Sequence, residues 1–168
     1  MNWFTESIPY TLENYIKVQT ACEVLNLLYN QIVREENSAT YGCYADYFLT
    51  RGENDEYQIG FSADCEMQPE KCDSVLTLMK KTFFSLAENI DETIFKNAKE
   101  SLLKSLDELE KTQNGFWLDI IWKNENRGFN SYSNRRKLLE QLTTANVQNF
   151  MKRFLKNCIF SEALMLPL

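Results

Sequence analysis

The chain has 168 residues and a formal net charge of −6, and it contains no histidine. A single domain of this length buries about 70% of the surface that its unfolded chain exposes. The acidic balance argues against nucleic acid and against an anionic membrane surface as partners, because both attract basic patches. No apolar run approaches the roughly 20 residues of a membrane span, and the N-terminus lacks the basic and apolar regions of a signal peptide.

The absence of histidine excludes several catalytic sites within this chain. Zinc motifs of the H-E-x-x-H and H-x-x-E-H types, Ser-His-Asp triads and Cys-His dyads all need an imidazole. The five cysteines are an odd number at irregular spacing and form no C-x-x-C motif: Cys22, Cys43, Cys65, Cys72 and Cys158. We interpret them as free thiols that act as small buried apolar groups, not as metal or redox sites.

The first elements are a short N-terminal segment and a long helix. Residues 1–8 are either the remnant of a strand or a linker, and Pro9 follows them. Thr11 can cap a helix, and apolar residues then recur at spacings of three and four, which predicts an amphipathic helix of about 20 residues. Its apolar positions are Tyr15, Val18, Cys22, Leu25, Tyr29 and Ile32. We expect this face to cover a sheet.

After Asn37 the hydrophobic period changes to two, which indicates strands. Residues 41–49 carry apolar side chains on both faces, which predicts a strand that is covered on both sides. Residues 51–55, RGEND, are a turn sequence. Residues 57–63 then alternate more cleanly and predict a strand with one buried face. Two strands this close in sequence are expected to form an antiparallel hairpin.

Two longer helices are predicted in the middle of the chain. Pro69 can open the first at its first turn, and an apolar stripe continues to the region of Glu88. Asp91 can cap the second, whose apolar side runs from Ile94 to Leu109. Their remaining faces are charged and are expected to be solvated.

The last third of the chain is less regular. The pattern breaks at residues 114–115, Asn-Gly, and residues 116–123 begin a shorter aromatic helix. Residues 124–134 are polar and are predicted to form a loop, whereas residues 135–142 can form one or two helical turns. Thr143 or Thr144 caps a further helix to the region of Leu155, and we expect the apolar C-terminal run to be a last buried strand.

The order of these elements predicts one α+β domain, residues 1–168, in two layers. An antiparallel sheet is expected to have helices packed on one face. An open sheet exposes an edge, so dimerisation through such an edge is a further prediction.

Residues 33–66 are the most distinctive stretch. The run R-E-E-N-S-A-T-Y-G, which begins at Arg34 and contains Tyr41, resembles the R-x-x-x-x-x-x-Y segment in the non-catalytic half of the M16 zinc peptidases. That family contains pitrilysin, the insulin-degrading enzymes and the mitochondrial processing peptidases. LLEQLTTANVQNFMKRFLKN is similar to the closing segment of the same domains, and NAKESLLKSLDELEKTQNGFWLDIIW resembles the middle helices of bacterial members. The resemblance covers nearly the whole chain.

The resemblance implies a non-catalytic, substrate-binding domain of the C-terminal half, excised from a longer peptidase and lacking its first strand or strands. Zinc would lie in a partner half, fused or separate, and this chain alone would bind no metal and hydrolyse nothing. Arg34 and Tyr41 would reach across to the peptide. A guanidinium suits a peptide carbonyl or a terminal carboxylate, and a phenol can donate a hydrogen bond to the oxyanion of metal-assisted hydrolysis.

Other interpretations remain open at this point. An arginine at a helix end commonly meets terminal carbonyls or solvent, and a strand tyrosine is commonly part of the core. Asp46 beside Asp64 or Glu66 could be an acid pair across the hairpin, although surface placement is favoured. The same fold could also serve as a scaffold without peptidase activity. An unrelated RNA-binding α+β domain is disfavoured by the acidic charge.

Overall fold

A computed structural model describes residues 1–36, 40–51, 57–111, 113–127 and 134–165. In these ranges, four strands form one antiparallel sheet in the order β2-β3-β1-β4. The strands are β1 (Asn2–Thr5), β2 (Thr40–Arg51), β3 (Tyr57–Met67) and β4 (Ile159–Ser161). Helices cover one face of this sheet, so the predicted two-layer α+β fold is confirmed.

The N-terminal segment is a central strand and not a linker. β1 lies between β3 and β4, with Trp3 opposite Phe61 on one side and Phe160 on the other. Trp3 is fully buried, and its ring stacks on that of Phe83 with the ring centroids 4.1 Å apart. Phe61 and Phe154 pack edge-on at 5.2 Å beside this stack. These aromatic side chains join the sheet to two helices in one core.

The helix layer begins with α1 (Leu12–Leu28), which continues directly into a π-helical segment (Tyr29–Glu36). The predicted cap is confirmed, since the Thr11 hydroxyl accepts a hydrogen bond from the Asn14 amide at 3.2 Å. Nearly every position from Asn14 to Leu25 is buried, so α1 runs through the core and is not a surface helix with one apolar face. A 3-10 turn (Pro69–Lys71) leads into α2 (Cys72–Ser85).

The remaining helices are α3 (Glu92–Lys111), α4 (Gln113–Arg127), α5 (Arg135–Gln141) and α6 (Thr144–Lys156). Asp91 accepts hydrogen bonds from the amides of Thr93 and Ile94, which confirms the predicted cap of α3. Thr143 caps α6, and the Asn146 side chain bonds back to the Thr143 amide, which completes a capping box.

Three sequence predictions about these elements are wrong. α3 ends at Lys111 and α4 begins at Gln113, so Asn114 and Gly115 lie in the first turn of α4, and α4 continues to Arg127 where a loop was expected. The C-terminal strand is not buried: β4 has three residues, and Ile159 is 58% exposed at the edge of the sheet.

The third wrong prediction is that β2 is covered on both faces. Cys43 and Ala45 are buried under the helices, but Tyr44 and Asp46 on the outer face are exposed. The apolar residue that misled the prediction is Phe48, which lies opposite Gly60 on β3. Its ring occupies the space that a Cβ at position 60 would fill. The outer face therefore holds a local cross-strand contact, and no helix of the described ranges forms a second layer there.

Burial of Cys22 on α1 predicts a loss of stability at alkaline pH. Burial raises the pKa of this thiol from 9.0 to about 12. The native state therefore keeps the proton above pH 9 while the unfolded chain loses it. The stabilisation is fully present below pH 9 and is lost as the pH rises towards 12. Urea unfolding across this interval should show a falling free energy of unfolding, with a smaller slope in Cys22→Ala.

Val24→Ala is the matched control for this measurement. Val24 is fully buried two residues further along α1 and cannot ionise. This substitution should lower the free energy of unfolding by a similar amount at every pH. An unchanged slope in Cys22→Ala, with the same slope in Val24→Ala, would contradict the assignment to Cys22.

Candidate functional site

The structure places Arg34 in the π-helical segment and Tyr41 near the start of β2. Residues 37–39 between them, and the side chains at positions 33–41, lie outside the described residues. The positions of the Arg34 guanidinium and the Tyr41 phenol are therefore not described. What the structure does give is the backbone on which both residues stand.

The backbone around Arg34 has an unusual conformation. A π-helix is rare, and short π-helical insertions are frequent at functional sites. Here the π-helical segment extends α1 by eight residues. Its first residue, Tyr29, is fully buried, and its hydroxyl donates a hydrogen bond to the Met79 carbonyl at 3.2 Å. Burial raises the pKa of Tyr29 well above its usual range, so the hydroxyl keeps its proton and remains a donor.

The backbone at Tyr41 is also irregular. The register passes from Thr40 opposite Met67 to Gly42 opposite Glu66, which leaves Tyr41 as the extra residue of a β-bulge. Bulges are enriched near active sites, where they re-aim a side chain or end the pairing of a strand. Both residues of the sequence motif therefore stand at departures from regular secondary structure. No periodicity in the sequence indicated either departure.

The Asn26 side chain joins the helix that leads to Arg34 to the strand that carries Tyr41, and the sequence analysis did not predict this contact. Asn26 on α1 donates from Nδ2 to the Ala45 carbonyl at 2.9 Å and accepts at Oδ1 from the Ala45 amide at 2.7 Å. We call this pair of bonds the Asn26 clamp. Ala45 lies opposite Ala63, whose own amide and carbonyl bond to Met1 on the other side of β3. The Asn26 clamp therefore occupies the outer edge of β2 as a neighbouring strand would.

A second polar network lies further along β2. The Tyr47 hydroxyl accepts a hydrogen bond from Gln19 Nε2 at 2.8 Å and lies 3.2 Å from the Tyr15 hydroxyl. Arg135 at the start of α5 donates to Gln19 Oε1 at 3.2 Å. Burial and the neighbouring Tyr15 raise the pKa of Tyr47 above its usual range. This network links α1, β2 and α5.

The residues of this chain do not fit a zinc site. The sequence contains no histidine, and within the described ranges no three cysteine or acidic side chains converge in a way that could hold a metal. The acidic residues that could pair across the hairpin are not directly opposite each other. Asp46 lies opposite Ser62 and Asp64 opposite Tyr44, and both carboxylates are on the exposed outer face. No helix in the described part of the chain is long and apolar enough to cross a membrane.

Comparisons with known proteins agree on the kind of domain. Residues 1–102 match the family described as the peptidase M16 inactive domain. Comparison with curated proteins gives no match. Among solved structures, the inactive peptidase domain of a putative zinc protease from Bordetella parapertussis is similar, with a TM-score of 0.69 and 13% identity over 99% of this chain and 94% of that chain.

Two larger proteases contain a similar fold. The periplasmic protease PqqL from Escherichia coli gives a TM-score of 0.71 at 20% identity over 93% of this chain. The ferredoxin protease FusC, solved in complex with Arabidopsis ferredoxin, gives 0.65 at 18% identity over 94% of this chain. The chain spans 17% of the PqqL chain and 18% of the FusC chain.

The candidate site is thus an irregular helix end and a bulged strand on an α+β domain whose described residues form no metal-binding cluster. That combination, with the match over residues 1–102, defines the class of the protein. The chain belongs to the family of peptidase M16 inactive domains, and the resemblance stated from the Arg34 and Tyr41 segment is confirmed.

Loss of the Asn26 clamp should destabilise the domain. Asn26→Ala removes both bonds to Ala45 and should lower the free energy of unfolding by about 1–2 kcal/mol. Asn97→Ala is the control, because Asn97 is an exposed residue in the middle of α3. It should change stability by less than about 0.5 kcal/mol. Chemical denaturation of both variants measures the difference, and equal stabilities would contradict a structural role for the clamp.

Proposed function

We propose that this chain is the substrate-binding, non-catalytic half of an M16-type zinc endopeptidase. The coincidence of the motif residues with two backbone irregularities carries the proposal. Arg34 stands in a π-helical segment and Tyr41 at a β-bulge. Irregular backbone of this kind is retained at functional sites, where it re-aims side chains. The absence of histidine means that this half needs a partner that holds the metal.

In this proposal the two residues act on the peptide and not on the metal. The Arg34 guanidinium binds a peptide carbonyl or a terminal carboxylate through its fixed donors. The Tyr41 hydroxyl donates a hydrogen bond to the oxyanion that develops as the peptide bond is attacked. Zinc in the partner half, fused or separate, supplies the activated water. Every ligand of that zinc lies outside this chain.

We further propose that residues 1–168 act as one domain of this kind. One buried cluster extends from Trp3 on β1 to Phe154 on α6, which supports a single folding unit. β1 fills the position between β3 and β4. That the domain lacks one or more strands before β1 stays a prediction. Dimerisation through a sheet edge also stays a prediction. The Asn26 clamp makes β2 the less favourable of the two edges, because a second chain would have to displace it.

A scaffold of the same fold is the second candidate, and one observation favours it. One face of α4 carries large apolar side chains in contact with solvent. They are Trp117 (53% exposed), Leu118 (68%), Ile121 (56%) and Trp122 (53%). Apolar patches of this kind, rich in tryptophan, mark protein–protein contacts. Such a face suits an interaction module as well as contact with a catalytic half.

Peptide cleavage by the assembled enzyme tests the first candidate. In the enzyme formed by this chain and its zinc-bearing half, Arg34→Ala and Tyr41→Phe should each lower kcat/KM about ten- to a hundred-fold. Tyr41→Phe should act mainly on kcat, since its hydroxyl serves the transition state. Arg34→Ala should act mainly on KM, since the guanidinium binds the peptide in the ground state as well.

Matched controls lie close by on the same domain. Tyr44→Phe removes a hydroxyl from an exposed residue of β2, and Arg153→Ala removes a guanidinium from an exposed position of α6. Both should leave kcat/KM within about twofold. Wild-type cleavage by both Arg34→Ala and Tyr41→Phe would remove the assigned roles. A parent protein without any zinc-bearing half would favour the scaffold.

A further inference from the structure

Two of the five cysteines face each other across the hairpin. Cys43 on β2 lies directly opposite Cys65 on β3. Two positions along, Ala45 bonds outward to Asn26 and Ala63 bonds outward to Met1, so these alanines do not bond to each other. Because hydrogen-bonded and non-hydrogen-bonded pairs alternate along a ladder, the cysteines are also a non-hydrogen-bonded pair.

This pairing brings the sulfur atoms close together. Opposite residues in a non-hydrogen-bonded pair have Cα atoms about 4.5 Å apart, and disulfides form at roughly 4.4–6.8 Å. Both side chains lie on the face that the helices cover. A hydrogen bond with the Cys65 thiol, together with burial, holds the pKa of Cys43 well above its ordinary value. This hydrogen bond agrees with the register, which places the two residues opposite each other.

The two thiols differ in access. Cys43 is 5% exposed, whereas Cys65 is half-buried and lines a cavity of about 580 Å³ at the end of the hairpin. The cavity wall also contains Asp64, Glu66 and Met1, so two carboxylates outnumber the single amino-terminal cation and the local charge is negative. A small reagent in the cavity therefore meets Cys65 first, and a cationic reagent is favoured over an anionic one.

We propose that Cys43 and Cys65 form an oxidisable pair that closes a reversible cross-strand disulfide by exchange with a low-molecular-weight cationic disulfide. The Cys65 thiolate attacks one sulfur of the reagent, forms a mixed disulfide and releases one thiolate. The Cys43 thiol loses its proton and attacks the Cys65 sulfur, which releases the second thiolate. The two protein thiols lose two electrons and two protons, and the reagent disulfide is reduced to two thiols.

The disulfide would act on the strand that carries the proposed site. Cys43 lies two residues after the bulge at Tyr41, and the cross-link would tie that part of β2 to β3. The five cysteines are reduced thiols in the structure, so this is the reduced form. The inference concerns a modification of the fold and stands whether or not Arg34 and Tyr41 bind a peptide.

Peptide mapping under non-reducing conditions tests the proposal on the full chain. Cystamine should remove two thiols and yield one cross-linked peptide that contains Cys43 and Cys65, and dithiothreitol should reverse this. The oxidised chain should melt about 5 °C higher, because the cross-link restricts the unfolded hairpin. Cystamine should react several-fold faster than the anionic glutathione disulfide, and high salt should narrow that difference.

Single substitutions assign the steps. Cys43→Ser should stop at a mixed disulfide on Cys65, and Cys65→Ser should form no cross-link, while Cys158→Ser should behave as the wild type. A cross-link between Cys65 and Cys72, which lines the same cavity, would overturn the proposal. A mixed disulfide that persists on wild-type Cys65 would also overturn it. The wild-type peptide map decides the question even if a variant fails to fold.

Discussion

The side-chain amide of Asn26 stands in for a peptide group at the outer edge of β2, and the geometry of the site region depends on this contact. Its two bonds to Ala45 fix the last turn of α1 against the edge strand. The π-helical segment leaves α1 three residues after Asn26, and the bulge lies four residues before Ala45. One amide therefore sets the relative position of the two irregular backbones that carry Arg34 and Tyr41.

Local signals in the sequence predicted much of the fold. Thr11, Asp91 and Thr143 cap the helices expected of them, because a cap depends only on residues within one turn. The hairpin was also correct. The errors arose where tertiary contacts decide the outcome. Phe48 looked like a core residue because periodicity does not show that it packs on Gly60 across the hairpin. The apolar run at β4 suggested a buried strand, but β4 lies at the edge of the sheet, and strand order is not visible in the sequence.

The site was less accessible to sequence reasoning than the fold. The positions of Arg34 and Tyr41 came from resemblance, and no pattern of hydrophobicity marks a π-helix or a bulge. Asn26 looked like an ordinary polar helix residue, yet it bonds to a strand nineteen positions away. The spacing of the cysteines along the chain does not indicate the Cys43–Cys65 pair. Its existence depends on the register of the hairpin, and a shift of one residue would place the two thiols on opposite faces.

Irregular backbone costs free energy, so something must hold it in place. A π-helix has poorer hydrogen-bond geometry than an α-helix, and a bulge leaves one residue out of the ladder. Here the hydrogen bond from the Tyr29 hydroxyl and the Asn26 clamp hold the surrounding backbone in place. The Cys43–Cys65 pair lies two residues along β2 from the bulge at Tyr41. A domain with only a structural role would be more stable if the backbone of this region were regular. The proposed binding of a peptide would give this irregular backbone, held by the Tyr29 hydrogen bond and the Asn26 clamp, a functional reason.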